Sequence, residues 1–174
     1  MKILAFAASN SGSSINKSLV TYAANLVEGA DVEILDLNDY EMPIYSSDRE
    51  NESGIHPLAQ AFFAKIAEAD AIMISFAEHN GSYTAAYKNI FDWMSRIDMK
   101  VYQGKPTLLL ATSPGPGGAN TVLTAAKTSA PYFGMDVKAD LSVGSFYDEF
   151  DLEKTEFKNA EMKDKLMTAV SFLG

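Results

Sequence analysis

The sequence predicts an α/β fold in which helices cover both faces of a parallel sheet, and three observations support this. Apolar segments of strand length alternate with helical patterns along the chain. Two of these segments, ADAIMISF at residues 69–76 and PTLLLAT at residues 106–112, are nearly continuous apolar runs, typical of central parallel strands. Repeated strand–helix order implies right-handed crossovers within one sheet. No internal repeat or linker interrupts the pattern, so residues 1–174 are predicted to form a single domain.

The elements follow in order from the N-terminus. Residues 2–8 are small and apolar, as in a buried strand, and residues 14–27 have a helical pattern. Residues 31–37 (DVEILDL) alternate polar and apolar side chains, which predicts a half-exposed strand. Residues 42–54 are rich in Pro, Ser and Asp and are predicted to be a solvated loop, with a cover over the binding site as the alternative.

The second half continues the alternation. Residues 56–68 are predicted to be helical, because Leu58, Phe62, Ile66 and Ala69 recur on one face. Strands are predicted at residues 69–76, 106–112 and 136–142, with helices at residues 83–96, 120–131 and 152–173.

Composition excludes several classes of protein. The chain of 174 residues is 47% hydrophobic and 21% charged, as in ordinary globular proteins. No apolar run approaches the roughly 20 residues of a membrane helix, and the N-terminus does not resemble a secretory signal. The absence of cysteine excludes disulfides, thiolate catalysis and zinc–cysteine sites. The net charge of −9, without a basic face, argues against nucleic-acid binding. A cytoplasmic protein without a membrane partner is therefore expected.

The first turn, residues 9–16, combines hydroxyl side chains with the start of a helix. Its sequence is Ser9-Asn10-Ser11-Gly12-Ser13-Ser14-Ile15-Asn16. One N-cap needs only one serine or asparagine, so this turn has more of them than capping requires. A helix N-terminus offers backbone N–H groups and a positive dipole end, which suit a phosphate without lysine or arginine. The turn is neither a Walker A loop nor a GxGxxG turn, but it predicts a phosphate site.

The second loop follows the third predicted strand and reads Ala77-Glu78-His79-Asn80-Gly81-Ser82-Tyr83. Asn80 and Gly81 both tolerate positive φ, which is a strong turn signal. Such a turn can present backbone N–H groups to the edge of a planar heterocycle. His79 would lie on the rim, either as a ligand contact or as a loop histidine without chemistry. Phe91 and Trp93 further along are predicted to be core or subunit interface rather than stacking partners.

The third loop follows the fourth predicted strand and reads Ser113-Pro114-Gly115-Pro116-Gly117-Gly118-Ala119. Its glycines permit close approach of a backbone or a flat ring. Ligands of open parallel sheets bind beyond the carboxyl ends of the strands, so the three loops are expected at one edge. This position favours a ligand wall over a mere connection.

These residues resemble the NAD(P)H-dependent FMN reductases, flavodoxin-like enzymes related to azoreductases, chromate reductases and quinone reductases. The family pattern Gly-Ser-x-Arg-x-x-Ser-x-Asn aligns with residues 8–16. The pattern Pro-Glu-Tyr-Asn-Gly-Ser, followed by Leu-Lys-Asn-x-x-Asp-Trp, aligns with residues 77–82 and 87–93 and is the most specific part. A Ser-x-Gly-x-x-Gly-Gly pattern fits residues 113–118 loosely. The similarity runs over most of the chain.

The resemblance implies a flavodoxin-like three-layer sandwich, with a five-stranded parallel sheet in the order 2-1-3-4-5, and FMN as cofactor. It places the FMN phosphate at Ser9, Ser11, Ser14, Ile15 and Asn16. It places the isoalloxazine ring beside Glu78, His79, Asn80 and Gly81, with Ser113 and Gly115 near the other side of the ring. Ser11 stands where the pattern has arginine, so hydroxyls and backbone must carry more of the phosphate binding. Ala77 and His79 replace the usual proline and tyrosine.

The implied activity is hydride transfer from NAD(P)H to FMN and onward to a flavin, quinone, azo compound or similar small-molecule acceptor. The cofactor performs this chemistry, so neither a catalytic side chain nor a metal is expected. Two alternatives stay open: a non-enzymatic flavodoxin-like electron carrier or sensor, and a phosphosugar- or nucleotide-binding protein of the same fold. The family also implies a homodimer or homotetramer, paired through the helices after the third and fourth strands. Tyr87, Phe91, Trp93 and Met94 would form either that interface or the core.

Overall fold

A five-stranded parallel sheet forms the centre of the structure, a computed structural model in which residues 1–173 are described. Its strands are β1 (Lys2–Ala8), β2 (Asp31–Leu35), β3 (Ala71–Phe76), β4 (Pro106–Thr112) and β5 (Asp136–Val143). They lie in the order β2-β1-β3-β4-β5. Ile3 of β1 pairs with Val32 on one side and with Ala71 on the other. The predicted fold class and strand order are confirmed.

Helices cover both faces of the sheet. They are α1 (Ile15–Asn25), α2 (Ser47–Ser53), α3 (Pro57–Glu68), α4 (Ala85–Met94), α5 (Asn120–Ser129), α6 (Phe146–Glu149) and α7 (Ala160–Ser171). Helices α1 and α7 share one apolar core with the sheet, and α3, α4 and α5 share the other. No helix among residues 1–173 is long and apolar enough to cross a bilayer.

Side chains of β1 supply both cores in alternation, as strand geometry requires. Leu4 and Phe6 lie in the core beneath α3 and α4, and Ile3 and Ala5 lie in the core beneath α1. Phe6 meets Phe62 of α3 edge to face, with 5.1 Å between the ring centroids. Burial on both faces explains why β1 reads as a continuous apolar run.

Two segments differ from the prediction. Residues 42–54 are not simply a solvated loop, because they contain α2, which is capped by the Ser46 hydroxyl accepting from the Arg49 N–H group. The last helix begins at Ala160 rather than at residue 152. Before it lie α6 and a small antiparallel pair, Phe150–Asp151 with Glu156–Phe157, here called the C-terminal hairpin. Phe150 and Phe157 of this hairpin pack edge to face, so the chain turns back on itself here instead of forming a helix.

The four apolar side chains Tyr87, Phe91, Trp93 and Met94 belong to the core. Each is less than 9% exposed in the single chain. The core interpretation is therefore correct, and an interface between copies would have to use other residues.

Candidate functional site

The three predicted loops meet at the carboxyl edge of the sheet and enclose a cavity of about 230 Å³, here called the cradle. Its lining comes from the first turn (Ser9, Ser11, Ser13, Ser14, Ile15, Asn16), the second loop (Ala77, Glu78, His79), the end of β4 and the third loop (Thr112, Ser113, Pro114), and Tyr147. Eight predicted site residues are thus brought together. Asn80, Gly81 and Gly115 lie outside the lining, on the neighbouring parts of the same loops.

The first turn owes its shape to its serines. The Ser9 hydroxyl accepts from the N–H group of Ser11 at 3.2 Å, and the Ser14 hydroxyl caps α1 by accepting from the N–H group of Lys17 at 3.2 Å. The first N–H groups of an α-helix have no partner within the helix, and Ile15 and Asn16 occupy these positions. Together with the helix dipole, they favour an anion. None of the described residues lining the cradle is lysine or arginine.

The Asn16 side chain fastens the first turn to the sheet. It is 3% exposed. Its Nδ2 donates to the carbonyl of Thr112 at 3.2 Å, and its Oδ1 accepts from the Thr112 N–H at 3.1 Å and from the Ser75 hydroxyl at 2.7 Å. Both amide atoms are therefore engaged in the core, and the backbone N–H is the group that Asn16 offers to an anion.

The second loop forms a two-residue hairpin in which Glu78–His79 pairs with Ser82–Tyr83. Asn80 and Gly81 at its tip have φ values of 54° and 74°, as the turn signal predicted. Glu78 anchors the hairpin, because its Oε2 accepts from the N–H group of Val122 at 2.9 Å. His79 lines the cradle and is exposed, so it lies on the rim.

The third loop is held by close backbone packing. A Cβ at Gly118 would lie 2.3 Å from Oγ of Ser142, and one at Gly144 would lie 2.5 Å from the carbonyl oxygen of Pro116. The N–H group of Phe146 donates to the carbonyl of Ser113 at 3.1 Å. This fixed contact between the third loop and α6 places the next residue, Tyr147, in the cradle.

Comparison with known proteins identifies the family. The model of the NADPH-dependent FMN reductases matches residues 1–148, which is most of the chain. The chain belongs to the NADPH-dependent FMN reductase family. The resemblance carried by the three loops is therefore confirmed.

Two curated relatives illustrate the match. The chain is 31% identical over 125 residues to an NADPH:quinone oxidoreductase of Arabidopsis thaliana, covering 70% of this chain and 62% of that protein. It is 31% identical over 116 residues to an NAD(P)H-dependent FMN reductase of Pseudomonas aeruginosa, covering 66% of this chain and 61% of that protein. The chain thus spans about three fifths of the length of these relatives.

Solved structures share the fold of this FMN reductase family member. A flavoenzyme NAD(P)H:(acceptor) oxidoreductase from Paracoccus denitrificans has a TM-score of 0.78 at 21% identity, with 99% of this chain and 94% of that chain covered. The azoreductase AzrA has a TM-score of 0.65 at 15% identity, covering 99% of both chains. At these identities the likeness shows the fold alone.

The second half of the most specific family motif, Lys-Asn-x-x-Asp-Trp at residues 88–93, has a structural role in this family member. The Asn89 side chain accepts from the N–H group of Tyr45 at 2.8 Å and donates to the carbonyl of Met42 at 3.0 Å. Nε1 of Trp93 donates to the carbonyl of Pro43 at 2.8 Å. The Lys-Asn-x-x-Asp-Trp segment therefore holds the chain before α2 against α4. Neither Asn89 nor Trp93 lines the cradle.

Charge beside the cradle is already paired in this family member. Nζ of Lys17 donates to the carboxylate of Asp36. That hydrogen bond, followed by the backbone N–H group of Asn38, lowers the pKa of Asp36 to about 2. No group of three or more His, Asp or Glu side chains among residues 1–173 is arranged to hold a metal ion.

Five residues that line the cradle were not among the predicted site residues: Ser13, Ala77, Thr112, Pro114 and Tyr147. The first four lie in or next to the predicted loops, whereas Tyr147 lies elsewhere in the chain. It is 52% exposed and lies on the four-residue helix α6, far along the chain from the three loops. No local pattern marks it, because its position depends on how the third loop packs against the end of β5.

Proposed function

We propose that this chain is an NAD(P)H-dependent FMN-binding oxidoreductase that passes reducing equivalents to a flavin, quinone, azo compound or similar small-molecule acceptor. One observation carries the proposal: the N-terminus of α1 is lined with hydroxyl groups and meets two further loops at one edge of the sheet. The chain that has this arrangement belongs to the NADPH-dependent FMN reductase family. Names of its relatives as quinone and FMN reductases support the same activity.

The donor set of the cradle fits a phosphate ester. Ser9, Ser11 and Ser14 offer hydroxyls, and Ile15 and Asn16 offer backbone N–H groups at the positive end of α1. The cradle volume of about 230 Å³ is below the roughly 300–1,000 Å³ of a complete small-molecule site. We therefore assign the phosphate and polyol of FMN to the cradle.

We assign the isoalloxazine ring to the more open surface formed by the second and third loops. The assigned residues are Glu78, His79, Asn80, Gly81, Ser113 and Gly115. FMN, when bound, supplies the hydride- and electron-transfer chemistry. The hairpin backbone contributes N–H donors that stabilise negative charge near the ring, and its anchor at Glu78 keeps them in place. We assign no side chain a catalytic role.

Flavin binding and turnover test this proposal directly. We expect purified protein to take up FMN, with the visible absorbance of a flavoprotein, and to oxidise NAD(P)H when FMN and a soluble benzoquinone are present. A protein that takes up no FMN and oxidises no NAD(P)H would overturn the proposal. FMN uptake without steady-state turnover would instead identify an electron carrier or sensor.

The phosphate assignment has a sharper test, since riboflavin lacks the phosphate. We expect Ser11→Ala to weaken FMN binding about tenfold, the effect of one hydrogen bond to a charged group, and to leave riboflavin binding unchanged. Ser53→Ala is the matched control, because Ser53 is an exposed serine on α2 that does not line the cradle. Equal losses for FMN and riboflavin would contradict the assignment.

We also propose that the chain forms a single domain and a homodimer or homotetramer in the cytoplasm. Met99 and Tyr132 support pairing near the ends of α4 and α5, because they are 56% and 72% exposed apolar residues. Nζ of Lys100 donates to the carbonyl of Tyr132, so the two residues lie on adjacent segments. Light scattering after size exclusion tests this: a monomer at micromolar concentration, or an unchanged oligomer in Tyr132→Glu, would count against it.

A further inference from the structure

A second and larger cavity lies directly beside the cradle, between α1 and the C-terminal hairpin. Its volume is about 640 Å³, within the roughly 300–1,000 Å³ of small-molecule sites. Ser13 and Ser14 line both cavities. A ligand phosphate at these serines therefore has a neighbouring space into which a larger ligand can extend.

The wall of this cavity mixes apolar and polar side chains, and α1 and the C-terminal hairpin each contribute both kinds. Tyr22, Phe150 and Leu152 contribute apolar surface, and Tyr22 packs edge to face on Phe150 with 5.5 Å between ring centroids. Leu152 is 45% exposed although it is a large apolar residue. Such a wall suits the face of a planar heterocycle.

The same two elements also carry hydrogen-bonding groups. Thr21, Asn25 and Thr155 supply hydroxyl and amide groups, which suit a ribose and the edge of a base. The combination of an apolar wall with a few polar side chains is typical of sites for small organic ligands rather than for simple ions.

Charge also favours a ligand that spans the two cavities. The phosphate monoester of FMN carries a charge of about −1.5 to −2 at neutral pH, and the cradle lining has no lysine or arginine among the described residues. In a diphosphate bridge each phosphate carries about one negative charge. Lys17 lines the second cavity, so a second phosphate would lie near its ammonium group, which is paired with Asp36.

We propose that the second cavity is an adenylate subsite, so that the chain binds the AMP half of FAD beside the cradle. This inference rests on the proposed function, because it requires the flavin phosphate to occupy the cradle. The isoalloxazine end is the same in FMN and FAD, so the subsite affects which flavin is held and not the chemistry at the ring.

Calorimetric titration with FMN and with FAD tests the subsite. Thr21→Trp places a bulky side chain in the second cavity without touching the cradle lining. We expect it to weaken FAD binding about tenfold, or about 1.4 kcal/mol, and to change FMN binding less than about twofold. Thr124→Trp on the exposed face of α5 is the matched control and should change neither affinity.

Each outcome decides a different question. Suppose that the unaltered protein binds FMN tightly and that Thr21→Trp weakens the binding of both flavins equally, or of neither. That result overturns the subsite and leaves the proposed function intact. Failure of the unaltered protein to bind either flavin overturns the proposed function itself. If Thr21→Trp does not fold by circular dichroism, Leu152→Ser removes apolar wall instead and should weaken FAD binding selectively. Unchanged FAD binding in that variant also overturns the subsite.

Discussion

The Asn16 side chain offers the most direct test of how the cradle is built. It is 3% exposed and makes three hydrogen bonds, two with the backbone of Thr112 and one with the Ser75 hydroxyl. Each buried hydrogen bond contributes about 1 kcal/mol net, so Asn16→Ala loses about 3 kcal/mol, and more where a partner stays unsatisfied. The higher helix propensity of alanine returns at most about 0.7 kcal/mol. We expect a net loss of about 2–4 kcal/mol in the free energy of unfolding.

Urea unfolding followed by far-UV circular dichroism measures this loss. With a dependence of about 2 kcal/mol per molar urea, in the middle of the usual range, a loss of about 2–4 kcal/mol should lower the midpoint by about 1–2 M. Asn25→Ala is the matched control, because Asn25 ends the same helix and is exposed. Exposed substitutions of this kind change stability by less than about 0.5 kcal/mol.

If Asn16→Ala unfolds within about 0.5 kcal/mol of Asn25→Ala, the three hydrogen bonds do not hold the first turn against the sheet. The affinity for FMN should fall with stability, because the same side chain fixes the turn to which we assign the FMN phosphate. Unchanged affinity in a destabilised but folded Asn16→Ala protein would show that the turn keeps its shape without this contact.

Three further predictions concern packing and titration. Gly144→Ala should lower the free energy of unfolding, measured by thermal unfolding, by about 1–3 kcal/mol, because the added Cβ would lie 2.5 Å from a backbone oxygen. Gly115→Ala in the adjoining loop is the control: its Cβ would have no atom within 4 Å, so its stability should match that of the unaltered protein. Tyr102→Phe removes the 2.5 Å hydroxyl contact between Tyr102 and the buried Tyr87 and should lower the free energy of unfolding by about 1–3 kcal/mol. The double variant, with Phe at both positions, should lose less than the sum of the two single losses. Losses that simply add would contradict the pairing of the two hydroxyls. The pKa of Asp36 is lowered from 3.8 to about 2, so the folded state binds fewer protons than the unfolded state between these values. The stabilisation by Asp36 is therefore complete above about pH 4 and is lost as the pH falls through about 2. In Asp36→Asn, the free energy of unfolding should change less with pH over this range than in the unaltered protein. The difference should be less than about 1 kcal/mol, because the ion pair with Lys17 is partly exposed.

Local sequence patterns were sufficient for most of the fold. The bounds of β1 and β4 agree with their largely apolar runs, because both strands are buried on both faces. Asn80-Gly81 predicted its turn correctly, since both residues adopt positive φ. These features depend on residues that are neighbours in the sequence, so they can be predicted from the sequence alone.

Sequence patterns gave the wrong prediction for segments whose structure depends on contacts with distant parts of the chain. Helix α2 has no buried residue, so no apolar periodicity marks it. It is held instead by contacts such as the ion pair of Glu50 with Arg96, which lies just after the end of α4. The C-terminal hairpin is similar, because Phe150 and Phe157 acquire their positions by packing on Tyr22 of α1.

Local preferences of the chain account for the parallel sheet, the serine-rich first turn and the three loops at one edge, because strand and turn preferences are local and parallel strands bring their carboxyl ends together. Only the tertiary structure decided that the Asn16 side chain serves the core, through partners 59 and 96 residues away. It also brought Tyr147 into the cradle and placed the C-terminal hairpin across from α1 to form the larger cavity. Those contacts join segments distant in sequence, and their geometry exists only once the chain has packed.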